Sequence, residues 1–136
     1  MKGNSYLLDT HCLLWFQENN PKIPKKVMQK IQDKSNKIFF SQISLFEISI
    51  KKKIGKLPDL KVGIKEISNQ AIADGFTFLN IKNEHLFHYE KVPLFEIHRD
   101  PFDRLLIATD AFEKSIIITA DKNFNLYPEK LVEIFW

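Results

Sequence analysis

The sequence predicts an α/β domain of three layers, helices on both sides of a mainly parallel central sheet. Two patterns predict it. Short apolar runs alternate with segments of helical composition along the 136 residues. The clearest runs, Tyr6-Leu7-Leu8 and Ser115-Ile116-Ile117-Ile118-Thr119, are apolar on both faces or rich in β-branched residues, as in strands covered on each side. The length suits one hydrophobic core, and no repeat, low-complexity tract or Gly/Ser linker divides it, so a single domain over residues 1–136 is expected.

Ser5 to Asp9 reads as the first strand, with Asp9 at its C-terminal end. Thr10 to Gln17 is helical in composition, and Asn19-Asn20-Pro21 marks a turn. Pro24 to Lys34 forms a second helix with Pro24 in its first turn and Val27, Met28 and Ile31 along one stripe. Lys37 to Phe40 is the second strand. A helix from about Ser41 or Ser44 to Lys53 follows and is ended by Gly55; another runs from about Leu60 to Ala73, closed by Asp74-Gly75. Phe76 to Leu79 is the third strand, and Glu84 to Lys91 a short helix stopped before Pro93. Asp100-Pro101 opens a strong helix to Lys114, and Ser115 to Thr119 and Val132 to Phe135 supply the last strands.

Hydrophobic residues make up 44% of the chain, yet no run approaches the ~18 uninterrupted apolar residues of a membrane span. The first residues, Met1-Lys2-Gly3-Asn4, precede an apolar stretch broken by Asp9 and His11, which is not a signal peptide, so a cytoplasmic location is expected. Cys12 is the sole cysteine, which excludes an intramolecular disulfide and a thiolate-rich zinc site. The net charge of +3 is unevenly spread: residues 1–68 hold 13 basic and 6 acidic groups, residues 69–136 hold 7 and 11. Such asymmetry suggests a basic face for a polyanion and a cluster of acids elsewhere.

Four of those acids invite a chemical reading. Asp9 and Asp121 both follow strand ends, where an open parallel sheet binds ligands, although aspartate there also serves as a turn former or helix N-cap. Glu47 either closes a capping box with Ser44 or, in a helix begun at Ser41, sits in the second turn among apolar side chains, where a carboxylate needs a partner or a metal. Asp103 is a sound residue for a helix start, but the helix beyond it, Leu105-Leu106-Ile107-Ala108, is apolar enough to carry it to the sheet's carboxyl edge. Asp110 lies seven residues on, ~10 Å away along the helix, and stands apart. Convergence of Asp9, Glu47, Asp103 and Asp121 would call for a hard divalent cation, Mg²⁺ or Mn²⁺, and such ions favour phosphoryl chemistry.

Leu7-Leu8-Asp9-Thr10-His11-Cys12-Leu13-Leu14-Trp15, Ser44-Leu45-Phe46-Glu47-Ile48, His98-Arg99-Asp100-Pro101-Phe102-Asp103-Arg104-Leu105-Leu106-Ile107-Ala108 and Ile118-Thr119-Ala120-Asp121 occur in this order. With these motifs the chain resembles the PIN-domain ribonucleases, specifically the VapC-type toxins of bacterial toxin-antitoxin pairs. The resemblance spans nearly the whole chain. It implies a PIN-like α/β/α fold and a Mg²⁺- or Mn²⁺-dependent endoribonuclease, often acting on tRNA or ribosomal RNA. It also implies a homodimer and a cognate antitoxin that holds the enzyme inactive. It assigns Asp9, Glu47, Asp103 and Asp121 as the catalytic, metal-binding quartet, with Asp121 at a position that varies in the family.

Around these acids, His11 and His98 are either phosphate or proton-transfer groups or simply packed, and Thr10 either bonds a water on the metal or caps the first helix. Arg104 either steadies a phosphate or joins a surface ion pair. Lys51, Lys52, Lys53 and Lys56 either guide RNA or stabilise a helix C-terminus. Twelve Phe and two Trp suggest apolar surface for a dimer or an antitoxin helix. An aspartyl phosphotransfer protein fits poorly: the haloacid-dehalogenase type needs a second aspartate where His11 stands, and a receiver needs an acidic pair before its phosphoacceptor. The remaining alternative is a non-catalytic RNA-binding or assembly module on the same fold.

Overall fold

The structure is a computed structural model and describes residues 4–136. Its strands are β1 (Ser5–Leu8), β2 (Lys37–Ser41), β3 (Thr77–Leu79), β4 (Ile116–Ile118) and β5 (Glu133–Phe135). They form one sheet of order β3-β2-β1-β4-β5, and every pairing is parallel. The helices are α1 (Thr10–Gln17), α2 (Lys25–Gln32), α3 (Gln42–Lys53), α4 (Ile64–Ala73), α5 (Asn83–Tyr89) and α6 (Pro101–Glu113).

Strand pleating builds the layers. Tyr6, Leu8, Ile38, Phe40 and Ile118 point to one face, against side chains of α1, α2, α3 and α4 such as Leu13, Val27, Ile48 and Ile67. Leu7 and Ile117 point to the other, against Leu106 and Ile107 of α6 and Phe124. The expected three-layer α/β/α architecture is the observed one, with a sheet that is parallel throughout.

The strand order places the site. The chain lays β2 and β3 to one side of β1, then crosses to lay β4 and β5 on the other, so the order reverses between β1 and β4. A crevice opens outside the carboxyl ends of strands at such a reversal. Asp9 follows β1 there, and its backbone N–H donates to the Ile118 carbonyl at 3.1 Å.

Several boundaries differ from expectation. Pro24 is the N-cap of α2, with extended backbone (φ −63°, ψ 155°), and is not in its first turn. Helix α4 begins at Ile64 instead of Leu60: the extended backbone of Gly63 interrupts the chain just before it, and Leu60 lies in a turn bonded to Leu57 at 3.2 Å. A 3₁₀ helix at Lys122–Leu126 was not foreseen. Among the described residues, no helix is long and apolar enough to cross a membrane.

Candidate metal centre

Helix α3 settles the two readings of Glu47. Ser41 is its N-cap and accepts the Ile43 N–H at 3.0 Å, so the helix begins a turn ahead of Ser44 and no Ser44–Glu47 capping box forms. Glu47 is therefore carried into the second turn and is only 3% exposed. Its partners are polar and few. The Thr10 hydroxyl lies 2.7 Å from Oε1, and Lys51, one turn on, lies 2.8 Å from Oε2. Thr10 also lies 3.0 Å from the Ser44 hydroxyl, so it ties α1 to α3; the cap of α1 is Asp9, not Thr10.

Asp9 is buried, and both its oxygens accept hydrogen bonds: Oδ1 from the Cys12 N–H at 2.8 Å and Oδ2 from the Thr119 hydroxyl at 2.5 Å. Burial pushes its carboxyl above the usual range, against those two bonds. Thr119 Oγ1 in turn accepts the Asp121 N–H at 3.0 Å, which joins the ends of β1 and β4. Asp121 is also the N-cap of the 3₁₀ helix, accepting from Asn123 N–H at 2.9 Å, so it is both a turn former and a member of the site.

Asp100 caps α6, receiving the N–H groups of Phe102 at 2.8 Å and Asp103 at 3.4 Å. Pro101 occupies the first turn, where its missing N–H costs nothing. The start of α6 thereby sets Asp103 beside His98, whose Nε2 stands 3.0 Å from Oδ2. One ligand atom each from His98, Asp103 and Asp121 falls within a sphere where all lie within 4.8 Å of one another. Asp9 is linked to this trio through Thr119. Glu47 reaches it through its charge, which, after burial and Asp100, helps push Asp103 up to about 7.

This donor set fits a hard divalent cation. It is carboxylate-rich, stands at the strand-order reversal, and contains a carboxyl whose ionisation burial and neighbouring acids oppose until positive charge arrives. Asp110 does stand apart: it is buried and accepts from the Ser115 hydroxyl.

The neighbouring residues divide differently from the expectations. Arg104 is neither in a surface ion pair nor free for a phosphate: it is buried, and its guanidinium donates to the Tyr89 hydroxyl and to the carbonyls of Val92 at 2.9 Å and Pro93 at 3.4 Å. Lys51 serves Glu47 and Lys52 binds the Val62 carbonyl, while Lys53 and Lys56 are exposed. His11 is exposed and His98 buried. Thr119 and Tyr127 were missed by sequence reasoning. Thr119 had a signal, its place beside Asp121 after a β-branched run; Tyr127 had none.

Residues 6–130 match the PIN domain family. No curated protein is significantly similar in sequence. Among solved structures, the chain is similar to VapBC2 from Rickettsia felis bound to a DNA fragment from its promoter, with TM-score 0.69 and 13% identity over 96% of this chain and 97% of that one. It is also similar to DNA-bound VapBC from Salmonella typhimurium, with TM-score 0.64 and 17% identity over 99% and 98%. VapBC-1 from nontypeable Haemophilus influenzae gives TM-score 0.65 and 16% identity over 96% of each chain. These likenesses are of fold, and with the match along the sequence they lead to one conclusion: the chain belongs to the PIN-domain family.

Proposed function

We propose that this PIN domain is a VapC-type toxin: a Mg²⁺- or Mn²⁺-dependent endoribonuclease that hydrolyses RNA phosphodiesters, in tRNA or ribosomal RNA, and is neutralised by a cognate antitoxin. The observation that carries the reading is the gathering of Asp103, Asp121 and His98 at the strand-order reversal, with Asp9 and Glu47 tied to it by Thr119 and Thr10. Asp9, Glu47, Asp103 and Asp121 would hold the cation. A bound Mg²⁺ or Mn²⁺ supplies Lewis-acid chemistry: it orients the scissile phosphate, lowers the pKa of the attacking water and neutralises charge on the leaving oxygen. The protein's part is to hold the acids rigidly. Thr119 and the Cys12 N–H fix Asp9, Thr10 and Lys51 fix Glu47, and the α6 cap fixes Asp103. Exposed Lys53 and Lys56 follow Glu47 along the chain, Lys56 lining one cleft with it, and would attract a polyanion.

The similarity to three VapBC complexes supports an antitoxin partner. So does a cleft of about 350 Å³ beside Glu47, lined by Ile50, Ile54 and Phe102, next to exposed Phe46. The single domain over residues 1–136, the homodimer and the cytoplasmic setting belong to the same reading.

The test is to incubate the antitoxin-free protein with total tRNA and ribosomal RNA in Mg²⁺, Mn²⁺ or EDTA, beside Asp103→Asn. Discrete metal-dependent fragments are expected, reduced more than about 100-fold in the variant, beyond the 10–100-fold typical of groups that only support a ligand. Equal behaviour of folded wild type and variant, with no Mn²⁺ binding by calorimetry, would leave the non-catalytic RNA-binding module in its place.

A further inference from the structure

His98 is only 4% exposed, and both of its ring nitrogens are engaged. Nδ1 lies 2.7 Å from the Tyr127 hydroxyl and Nε2 lies 3.0 Å from Asp103 Oδ2. The ring is walled by Phe124 at 5.5 Å between centroids, and Tyr127 is itself packed on Phe95 at 5.1 Å, so neither side chain has room to turn away.

A neutral imidazole has one N–H and one lone pair, and an ionised carboxylate only accepts. With Asp103 ionised, as it must be to hold a cation, one arrangement satisfies all three groups: Tyr127 O–H donates to Nδ1, and Nε2–H donates to Oδ2. The other tautomer sets two lone pairs face to face at 3.0 Å.

We infer that His98 is a positioning residue and not a metal ligand: the ordered chain from Tyr127 through His98 to Asp103 fixes the orientation of the Asp103 carboxylate at the metal centre. The inference rests on the metal-nuclease reading. Oδ1 of Asp103 has no protein donor among the described residues, so the chain occupies one oxygen and leaves the other to a cation. A centre built this way presents oxygen alone, which suits Mg²⁺ and Mn²⁺ over the metals that seek imidazole. The direct alternative, His98 as a nitrogen ligand beside Asp103 and Asp121, is geometrically open, since their ligand atoms share one sphere. The tautomer decides between them.

The experiment uses the full-length, metal-free protein with Mn²⁺ as the only added ligand. Nitrogen-15 NMR of the metal-free wild type above about pH 8, where Asp103 is ionised, should show the His98 proton on Nε2, and pulsed EPR of the Mn²⁺ form should show no directly bound ¹⁴N. His98→Gln, whose amide N–H reaches the place of Nε2–H, should keep the Mn²⁺ Kd within about threefold, whereas His98→Ala should weaken it about 10–100-fold. Tyr127→Phe should weaken it a few-fold and release the tautomer. A ¹⁴N coupling that vanishes in His98→Gln, a wild-type proton on Nδ1, or a His98→Ala protein that binds Mn²⁺ like wild type would each overturn the assignment while the nuclease reading stands. Absence of any Mn²⁺ binding by the wild type would overturn both. The wild-type spectra decide the question even if a variant fails to fold.

Discussion

Helix α6 carries an aspartate near each end, Asp103 half-buried and Asp110 buried, and the two ends show what turns an awkward carboxyl into a site. Asp103 and Asp110 are pushed up to about 7 and about 8, in both cases chiefly by burial. At the N-terminal end, helix N–H groups favour an anion, and Asp103 faces His98 and Asp121. At the C-terminal end, exposed carbonyls disfavour an anion, and Asp110 meets the Ser115 hydroxyl under the charge of Glu133. Both groups resist ionisation; among the described residues, only the first belongs to a cluster of three side chains that could hold a metal ion. Burial makes a carboxyl costly, and company makes it useful.

The comparison breaks most sharply on pH. Each aspartate is raised above its unfolded value, so its contribution to stability is complete below about pH 4 and is lost as pH rises through about 7 for Asp103 and about 8 for Asp110. Asp110→Asn removes that loss and keeps an acceptor for Ser115. It should gain several degrees of thermal stability over wild type at pH 8, much less at pH 5, with metal-dependent cleavage intact. Asp103→Asn should show a similar metal-free gain at pH 8 but lose all stabilisation by Mn²⁺. If thermal melts show Mn²⁺ stabilising both variants alike, the two ends are not different in kind.

Removing one hydroxyl from the candidate metal centre and one from beside Asp110 sharpens the contrast at smaller scale. Thr119→Val strips Asp9 of a buried donor and should cost about 1–3 kcal/mol in denaturant unfolding, with Mn²⁺ affinity down about tenfold. Ser115→Ala should cost about 1 kcal/mol and leave Mn²⁺ titrations unchanged.

The smallest effect lies at the residue that caps the C-terminal end of the helix. Lys114 adopts the left-handed conformation (φ 56°), which a glycine enters without strain. Lys114→Gly should stabilise by about 0.5–1 kcal/mol, read from the denaturation midpoint, with RNA cleavage unaltered.

Much of this contrast was legible in the sequence. Asp100-Pro101 announces a helix start and Lys114 stands at its stop, and the apolar run Leu105 to Ala108 announces burial, so the chain itself separates Asp103 from Asp110. Strand identities were equally plain, because residues apolar on both faces have one home in a covered parallel sheet. What could not be read was lateral. Ser41 and Ser44 are both competent N-caps, and only the packing of α3 on α1, α4 and α6 selects Ser41 and buries Glu47. Arg104 read as a phosphate contact or a surface ion pair, whereas the 89–93 segment takes up its guanidinium. Tyr127 reaches His98 across 29 residues of chain, a contact without local signature. The start of α4 was missed because Leu60, apolar and packed on the core, imitates a helical position from within a turn.

The reversal of strand order also sets a timetable. Strand β1 is made well before its neighbour β4, which pairs Ile116 with Tyr6, and the Thr119 hydroxyl that holds Asp9 lies 110 residues downstream. Contacts this distant along the chain form late in folding, after the loop entropy between them has been overcome. A nascent chain that has not yet reached Ile116 has Asp9 and Glu47 but neither β4 nor Asp121 to complete the crevice. The acidic centre is thus withheld from the nascent chain: a protein growing on the ribosome can gather these carboxylates only after β4 and Asp121 have been made.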